Sequence, residues 1–220
     1  TAYPTFATII YIPDEEANLR DALNVAEPAD TIMVGDEEYD GNDNTNLTID
    51  SPVTIMSVNG PENVVFDVGG GNADWITIEA ECTIIGITII NAINTIRASN
   101  VNNIEIKNCI IVQSSENGII LEDCDQFRII GCQFIENGPD GSALKTEGSG
   151  GIISNCIFDS NSRNDGSGGG LHLRDSDDEF RLVIEDCTFN QNEGLESAIK
   201  KIQKESEIAV RQGVTQLILS

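Results

Sequence analysis

The chain has 220 residues, 40% of them hydrophobic, with 37 acidic groups, 12 basic groups and a formal charge of −25 at pH 7. That apolar content suffices for one continuous core, and so negative a surface repels phosphate backbones and anionic membranes, which argues against a nucleic-acid partner. No apolar run reaches the roughly 18 residues of a membrane helix, no charged and then apolar leader opens the chain, and a single histidine excludes a His-rich zinc site.

In chain order, residues 14–26 (DEEANLRDALNVA) come first. They place Leu19, Ala22, Leu23 and Ala26 on one stripe at helical spacing, which predicts an amphipathic helix able to cover an open end of a β structure.

A repeat follows. The stretches GCQFIEN (131–137), NCIFDSN (155–161) and DCTFNQN (186–192) share a small polar residue, Cys, any residue, Phe, two residues and Asn. Cys109, Cys132, Cys156 and Cys187 are spaced 23, 24 and 31 residues apart, and Ile87 holds the same place 22 residues before Cys109. A period in the low twenties with β-branched alternation, broken by Gly, Asn and Asp, predicts a β-solenoid in which each unit is one stacked coil.

Two or three strands are expected per unit: RIIGCQF (128–134) then SALKT (142–146), IISNCIF (152–158) then LHLRD (171–175), and LVIEDCTF (182–189). Alternation aims the Cys, the Phe and the preceding Ile inward, and Gln133, Ile157 and Thr188 outward, with Ile157 an exposed exception. Stacking should gather Ile87, Cys109, Cys132, Cys156 and Cys187 into one interior column and Phe134, Phe158 and Phe189 into another. Neighbours about 4.8 Å apart are poorly aimed for disulfides, so the thiols are expected reduced and structural. Asn137, Asn161 and Asn192 fall where the chain turns, where Asn tolerates left-handed dihedrals and its amide can bond the next coil.

The longer interval before Cys187 holds RNDGSGG (163–169) and RDSDDE (174–179), the place where a solenoid puts out loops. Registering Leu121, Leu144 and Leu171 puts Glu122, Lys145 and His172 in one outward column, with Arg174 beside Glu147. As chemistry, Lys145 or His172 would serve as a base and Arg174 would hold an anionic sugar. As structure, Glu122 and Lys145 are opposite charges on adjacent strands, a pair worth about 0.2–1 kcal/mol.

Asp175, Asp177, Asp178 and Glu179 offer oxygen ligands to Ca2+, as do Asp40, Asn42, Asp43 and Asn44; the other reading of both stretches is a solvated acidic loop. Asn46-Leu47-Thr48 is a formal glycosylation triplet. No G-x-S-x-G occurs, and the Gly-rich runs lack the Lys-Ser/Thr of a phosphate loop.

The last 26 residues depart from this pattern. Residues 1–194 carry 34 acids and 8 bases, residues 195–220 carry 3 acids and 4 bases. The tail reads as a helix through about Arg211, a stop at Gly213 and a strand-like VTQLILS. The division expected is a solenoid with its cap over 1–194 and a helix-and-strand tail over 195–220, acting as a cap or as a fusion segment.

The C-x-F-x-x-N units followed by Gly141-Ser142-Ala143-Leu144 and Gly169-Gly170-Leu171 resemble the right-handed parallel β-helix, or pectin-lyase-like, superfamily. They are most similar to bacterial secreted and surface proteins whose repeats read FxxN and GGA[IL], the adhesins among them. The opening is also similar to that group, with the helix, a D-T-I-M-V strand (30–34), a turn bearing Tyr39 and the V-T-I coil at 53–55. The likeness spans about residues 8–194. The tail resembles a short central stretch of glutamate synthases without that family's catalytic or cofactor-binding residues.

The resemblance implies an all-β, right-handed parallel β-helix with an N-terminal helical cap and a C-terminal helical segment. It implies a secreted or surface-displayed module presenting a face to polysaccharide, cell-surface glycans or protein partners. The alternatives are a polysaccharide lyase acting on an anionic polymer through Lys145, His172 and Arg174, with Ca2+, and a purely structural or engineered solenoid. If the tail leaves the last coil uncovered, end-to-end self-association is expected.

Overall fold

Each coil lays down three short strands, and like strands stack into three parallel sheets around one core. This is the arrangement of a computed structural model that describes residues 7–70, 72–164, 168–174, 182–193 and 209–210. Among these residues one sheet has nine strands, running from Ile9–Ile12 through Thr31–Val34, Val53–Ser57, Cys82–Ile85, Ile104–Lys107, Asp125–Ile130, Gly150–Ser154 and Leu182–Glu185 to Ala209–Val210. A seven-stranded sheet runs from Glu37–Tyr39 to Thr188–Asn190, and a six-stranded sheet from Leu47–Ile49 to Leu171–Arg174. The fold is the expected right-handed parallel β-helix.

The stretch RIIGCQF, read as one strand, is two. Asp125–Ile130 ends, Gly131 turns the corner, and Gln133–Ile135 starts the next sheet. The corner residue is left-handed in five successive coils, at Gly86 (φ 68°), Asn108 (51°), Gly131 (66°), Asn155 (55°) and Asp186 (52°). This is why a Gly, Asn or Asp precedes each motif cysteine, since these types reach positive φ most cheaply.

The second left-handed column lies one residue before the expected place, at Glu136 (54°), Ser160 (55°) and Gln191 (51°) rather than at the Asn that follows each. The asparagines themselves serve as connectors. The Asn161 Oδ1 accepts from the Asn137 backbone N–H (2.9 Å) and Nδ2 (3.0 Å), and the Asn192 Oδ1 accepts from the Asn161 N–H (3.0 Å) and Nδ2 (2.8 Å).

The expected columns form the core. Ile87, Cys109, Cys132, Cys156 and Cys187 are all buried, and Phe134, Phe158 and Phe189 stack with centroids 4.7 Å apart. Ile157 is exposed, as its outward place requires. All six cysteines are free and buried. The thiol of Cys132 donates to the carbonyl of Ile106 in the preceding coil, and that of Cys156 to Ile129, so these thiols fill space and satisfy carbonyls.

The N-terminal end is closed by two elements. The helix is shorter than residues 14–26: it spans Leu19–Val25, and Asn18 caps it by accepting from the Asp21 N–H at 2.9 Å. Leu19 and Ala22 are buried, and Leu23 and Ala26 pack half-buried on the core. The helix packs against Leu47–Ile49, the first strand of the six-stranded sheet, while the strand Ile9–Ile12 pairs in front of Thr31–Val34. At the other end Ala209–Val210, inside the stretch expected as helix, pairs as a parallel strand with Val183 and Ile184.

Candidate functional site

The outer face of the six-stranded sheet carries Lys145, His172 and Arg174. A polar ladder along the edge where its strands begin sets their register. The Asn46 side-chain oxygen accepts from the Asp74 N–H (3.3 Å), Asp74 from Asn94 (2.9 Å), Asn94 from Asn117 (3.2 Å) and Asn117 from Ser142 (3.0 Å). Asn46, the first residue of the glycosylation triplet, thus starts this ladder.

That register differs from the expected one by two residues. Leu144 stands beside Leu171 as expected, but its neighbour in the preceding coil is Ile119, not Leu121. Ile119 and Leu121 are both fully buried, so the apolar pattern alone fits either alignment. The outward column therefore reads Arg97, Ile120, Lys145, His172, and the next one Ser99, Glu122, Glu147, Arg174.

Opposite charges still meet across the diagonal. Lys145 Nζ lies 3.0 Å from Glu122 Oε1 and 3.3 Å from Glu147 Oε2, and Arg174 Nη1 lies 3.8 Å from the same Glu147 oxygen. At this exposure each pair contributes about 0–1 kcal/mol. The network leaves Lys145 shared between two carboxylates.

His172 has a partner that sequence reasoning did not name. Arg163 Nη1 lies 3.0 Å from His172 Nδ1 and donates to Ser142 Oγ at 3.2 Å. A guanidinium only donates, so Nδ1 is the acceptor and the neutral imidazole carries its proton on Nε2. The one sequence signal for Arg163 was its rarity as a base within the insertion. Arg97, 3.6 Å from Asp74, completes the basic set and was also missed.

Asp175, Asp177, Asp178 and Glu179, proposed as Ca2+ ligands, lie outside the described residues. In the other acidic stretch Asn44 is buried and its amide is committed: Oδ1 accepts from the Leu19 N–H (3.1 Å) and Nδ2 donates to the Asp40 carbonyl (2.9 Å). Arg20 Nη2 donates to the carbonyls of Asn42 (2.9 Å) and Thr45 (2.5 Å). That stretch anchors the cap helix. Beside it a cleft of about 380 Å³ opens between the helix and Leu47–Ile49. Among the described residues no helix is long and apolar enough to cross a membrane.

Among solved structures the chain is similar to a pectin methylesterase mutant crystallised with a hexasaccharide, at a TM-score of 0.54 and 14% identity over 86% of this chain and 67% of that one. It is also similar to a rhamnogalacturonan lyase (TM-score 0.43, 12% identity, 85% of this chain and 56% of that one) and to a pectin methylesterase from Aspergillus niger (0.47, 10%, 98% and 93%). At 14% identity the first of these shows a shared fold alone. No curated protein matches the chain by sequence. The sequence profile of the family described as right handed beta helix region matches residues 40–212, most of the chain and nearly every coil described above, and the protein belongs to that family.

Proposed function

We propose that the outer face of the six-stranded sheet binds polysaccharide, with anionic sugar units held at Lys145, Arg163, His172 and Arg174, and that the protein acts as a secreted or surface-displayed binding module. The observation that carries this reading is the distribution of bases. In a chain of formal charge −25, Arg97, Lys145, Arg163, His172 and Arg174 gather at one face, and the other described bases, Arg20, Lys107 and Arg128, lie elsewhere. An anionic polymer is admitted only where local cations offset the general field. A pectin methylesterase of this fold was crystallised with a hexasaccharide, which supports the choice of ligand class.

Binding is favoured over elimination by how the candidate bases are engaged. Lys145 is held between Glu122 and Glu147, and the unprotonated Nδ1 of His172 accepts from Arg163. A lyase role would require one of these contacts to break before a proton could be taken.

The test is calorimetric titration with polygalacturonate and with a neutral glucan, with and without Ca2+, on the protein and on Lys145→Ala and Arg174→Ala. Binding confined to the anionic polymer, weakened in both variants and by salt, is expected. Absence of binding to either polymer would leave a structural solenoid, and release of an ultraviolet-absorbing unsaturated sugar, lost in Lys145→Ala, would replace the binding module by a lyase.

A further inference from the structure

The cleft between the cap helix and the strand Leu47–Ile49 has no part in the basic cluster, yet it lies on the same stripe. It is lined by Arg20, Leu23, Asn24, Ala26, Leu47, Thr48 and Asp50. Thr48 belongs both to this cleft and to the outward column, because its strand neighbours run in turn through Thr77, Arg97, Ile120, Lys145 and His172. With strands about 4.8 Å apart, Thr48 and Lys145 are about 19 Å apart along the stack. One straight line over the face joins the cleft to the cations.

From this geometry we infer that the cleft is an end subsite for a neutral sugar unit of the polysaccharide whose anionic units sit at Lys145 and Arg174. The inference rests on the binding function proposed above and adds the polymer's direction, along the stacking axis, and its charge pattern. The cleft arises because a seven-residue helix takes the place of a strand at this end, leaving a helical wall beside Leu47–Ile49.

The chemistry of the lining selects the unit. A volume of about 380 Å³ is at the small end for ligand pockets and suits one ring. Leu23 offers an apolar surface for a sugar face, and the exposed Asn24, Thr48 and Asp50 offer hydrogen bonds to hydroxyls. Asp50 faces any uronate carboxylate with like charge and offsets the Arg20 guanidinium, whose Nη2 is taken up by the carbonyls of Asn42 and Thr45, so the lining carries no net positive charge to hold an anion. A hydroxyl-rich or esterified unit meets neither obstacle, so the preferred polymer alternates charged and uncharged blocks.

The experiment is a length series of oligogalacturonides, dimers and trimers against octamers, the octamers prepared both fully acidic and with methyl-esterified units at one end. Each is titrated into the protein and into Thr48→Trp, which fills the cleft from an exposed strand position, Asn24→Ala, which removes one amide, and Lys145→Ala; thermal melts confirm folding. End-esterified octamers should bind more tightly than acidic ones. They alone should lose about tenfold in Thr48→Trp and a smaller factor in Asn24→Ala, the size of a lost hydrogen bond to a hydroxyl. Lys145→Ala should weaken every length.

Unchanged octamer binding in both cleft variants, with the Lys145→Ala loss intact, overturns the subsite and leaves the basic face standing. If Thr48→Trp does not fold, Asn24→Ala decides alone. Failure of every oligomer to bind the unaltered protein removes the face itself and the subsite with it.

Discussion

Asn161 is the most informative residue to remove. Its amide is fully buried and makes four hydrogen bonds: Nδ2 donates to the Phe134 carbonyl (2.9 Å) and to Asn192 Oδ1 (2.8 Å), while Oδ1 accepts from the Asn137 N–H (2.9 Å) and Asn137 Nδ2 (3.0 Å). Asn161→Ala leaves a buried backbone N–H and a buried carbonyl without partners, at about 1–3 kcal/mol each, so a loss of about 2–6 kcal/mol is expected. Urea denaturation followed by circular dichroism gives the midpoint and slope, and the slope should be unchanged if only the native state is affected.

The control is Gln113→Ala, which breaks the exposed Gln113 to Glu136 contact on the same side of the solenoid and should stay within about 0.5 kcal/mol. Asn161→Asp keeps the volume and the acceptor but aims an oxygen at the Phe134 carbonyl, so it should cost at least as much as alanine. A loss in Asn161→Ala below about 1 kcal/mol, or equal to that of Gln113→Ala, would refute the view that this ladder satisfies the buried backbone at the turn.

Phe158→Ala, which empties the middle of a stack flanked by Phe134 and Phe189, should cost about 3–5 kcal/mol by the same denaturation assay. All six thiols should resist a thiol-specific reagent in the native protein and react together after denaturation, and rapid native labelling of any of them would contradict the burial seen here. Burial and then Glu37 push the Tyr39 phenol up to about 12; its contribution is therefore complete below the unfolded value of about 10 and is lost as pH rises through 12. Tyr39→Phe should show a smaller alkaline loss of stability across that window, measured as denaturation midpoint against pH. The Asp30 carboxyl is held below its ordinary value, chiefly by the Thr8 N–H at 2.6 Å and also by the Glu27 N–H, so its contribution is present above about pH 4 and lost as pH falls through the lower folded value. Asp30→Asn should flatten the acid limb of the same curve.

The architecture was legible because a solenoid repeats one local solution. Cys, Phe and Asn recur every 23 or 24 residues in the regular units, and each must meet its own copy one coil away. The cap helix was legible from Leu19 and Ala22 for the same reason of periodicity, though its start at Asn18 was set by a cap bond. The corner inside RIIGCQF was not, since Gly131, Asn155 and Asp186 read as ordinary polar residues until their positive φ is seen. Nor was the second ladder, whose members Asn46, Asp74, Asn94 and Asn117 differ in type and spacing.

By itself the sequence determined which side chains point inward, because alternation and period are properties of the chain's own covalent order. Only the tertiary structure decided which coil residue stands beside which on the outer face. Ile119 and Leu121 satisfy the core equally, so the choice fell to backbone and Asn117 hydrogen bonds that join residues more than twenty positions apart. It also brought Arg163 from an insertion onto His172, a contact made by loop geometry that no periodicity encodes.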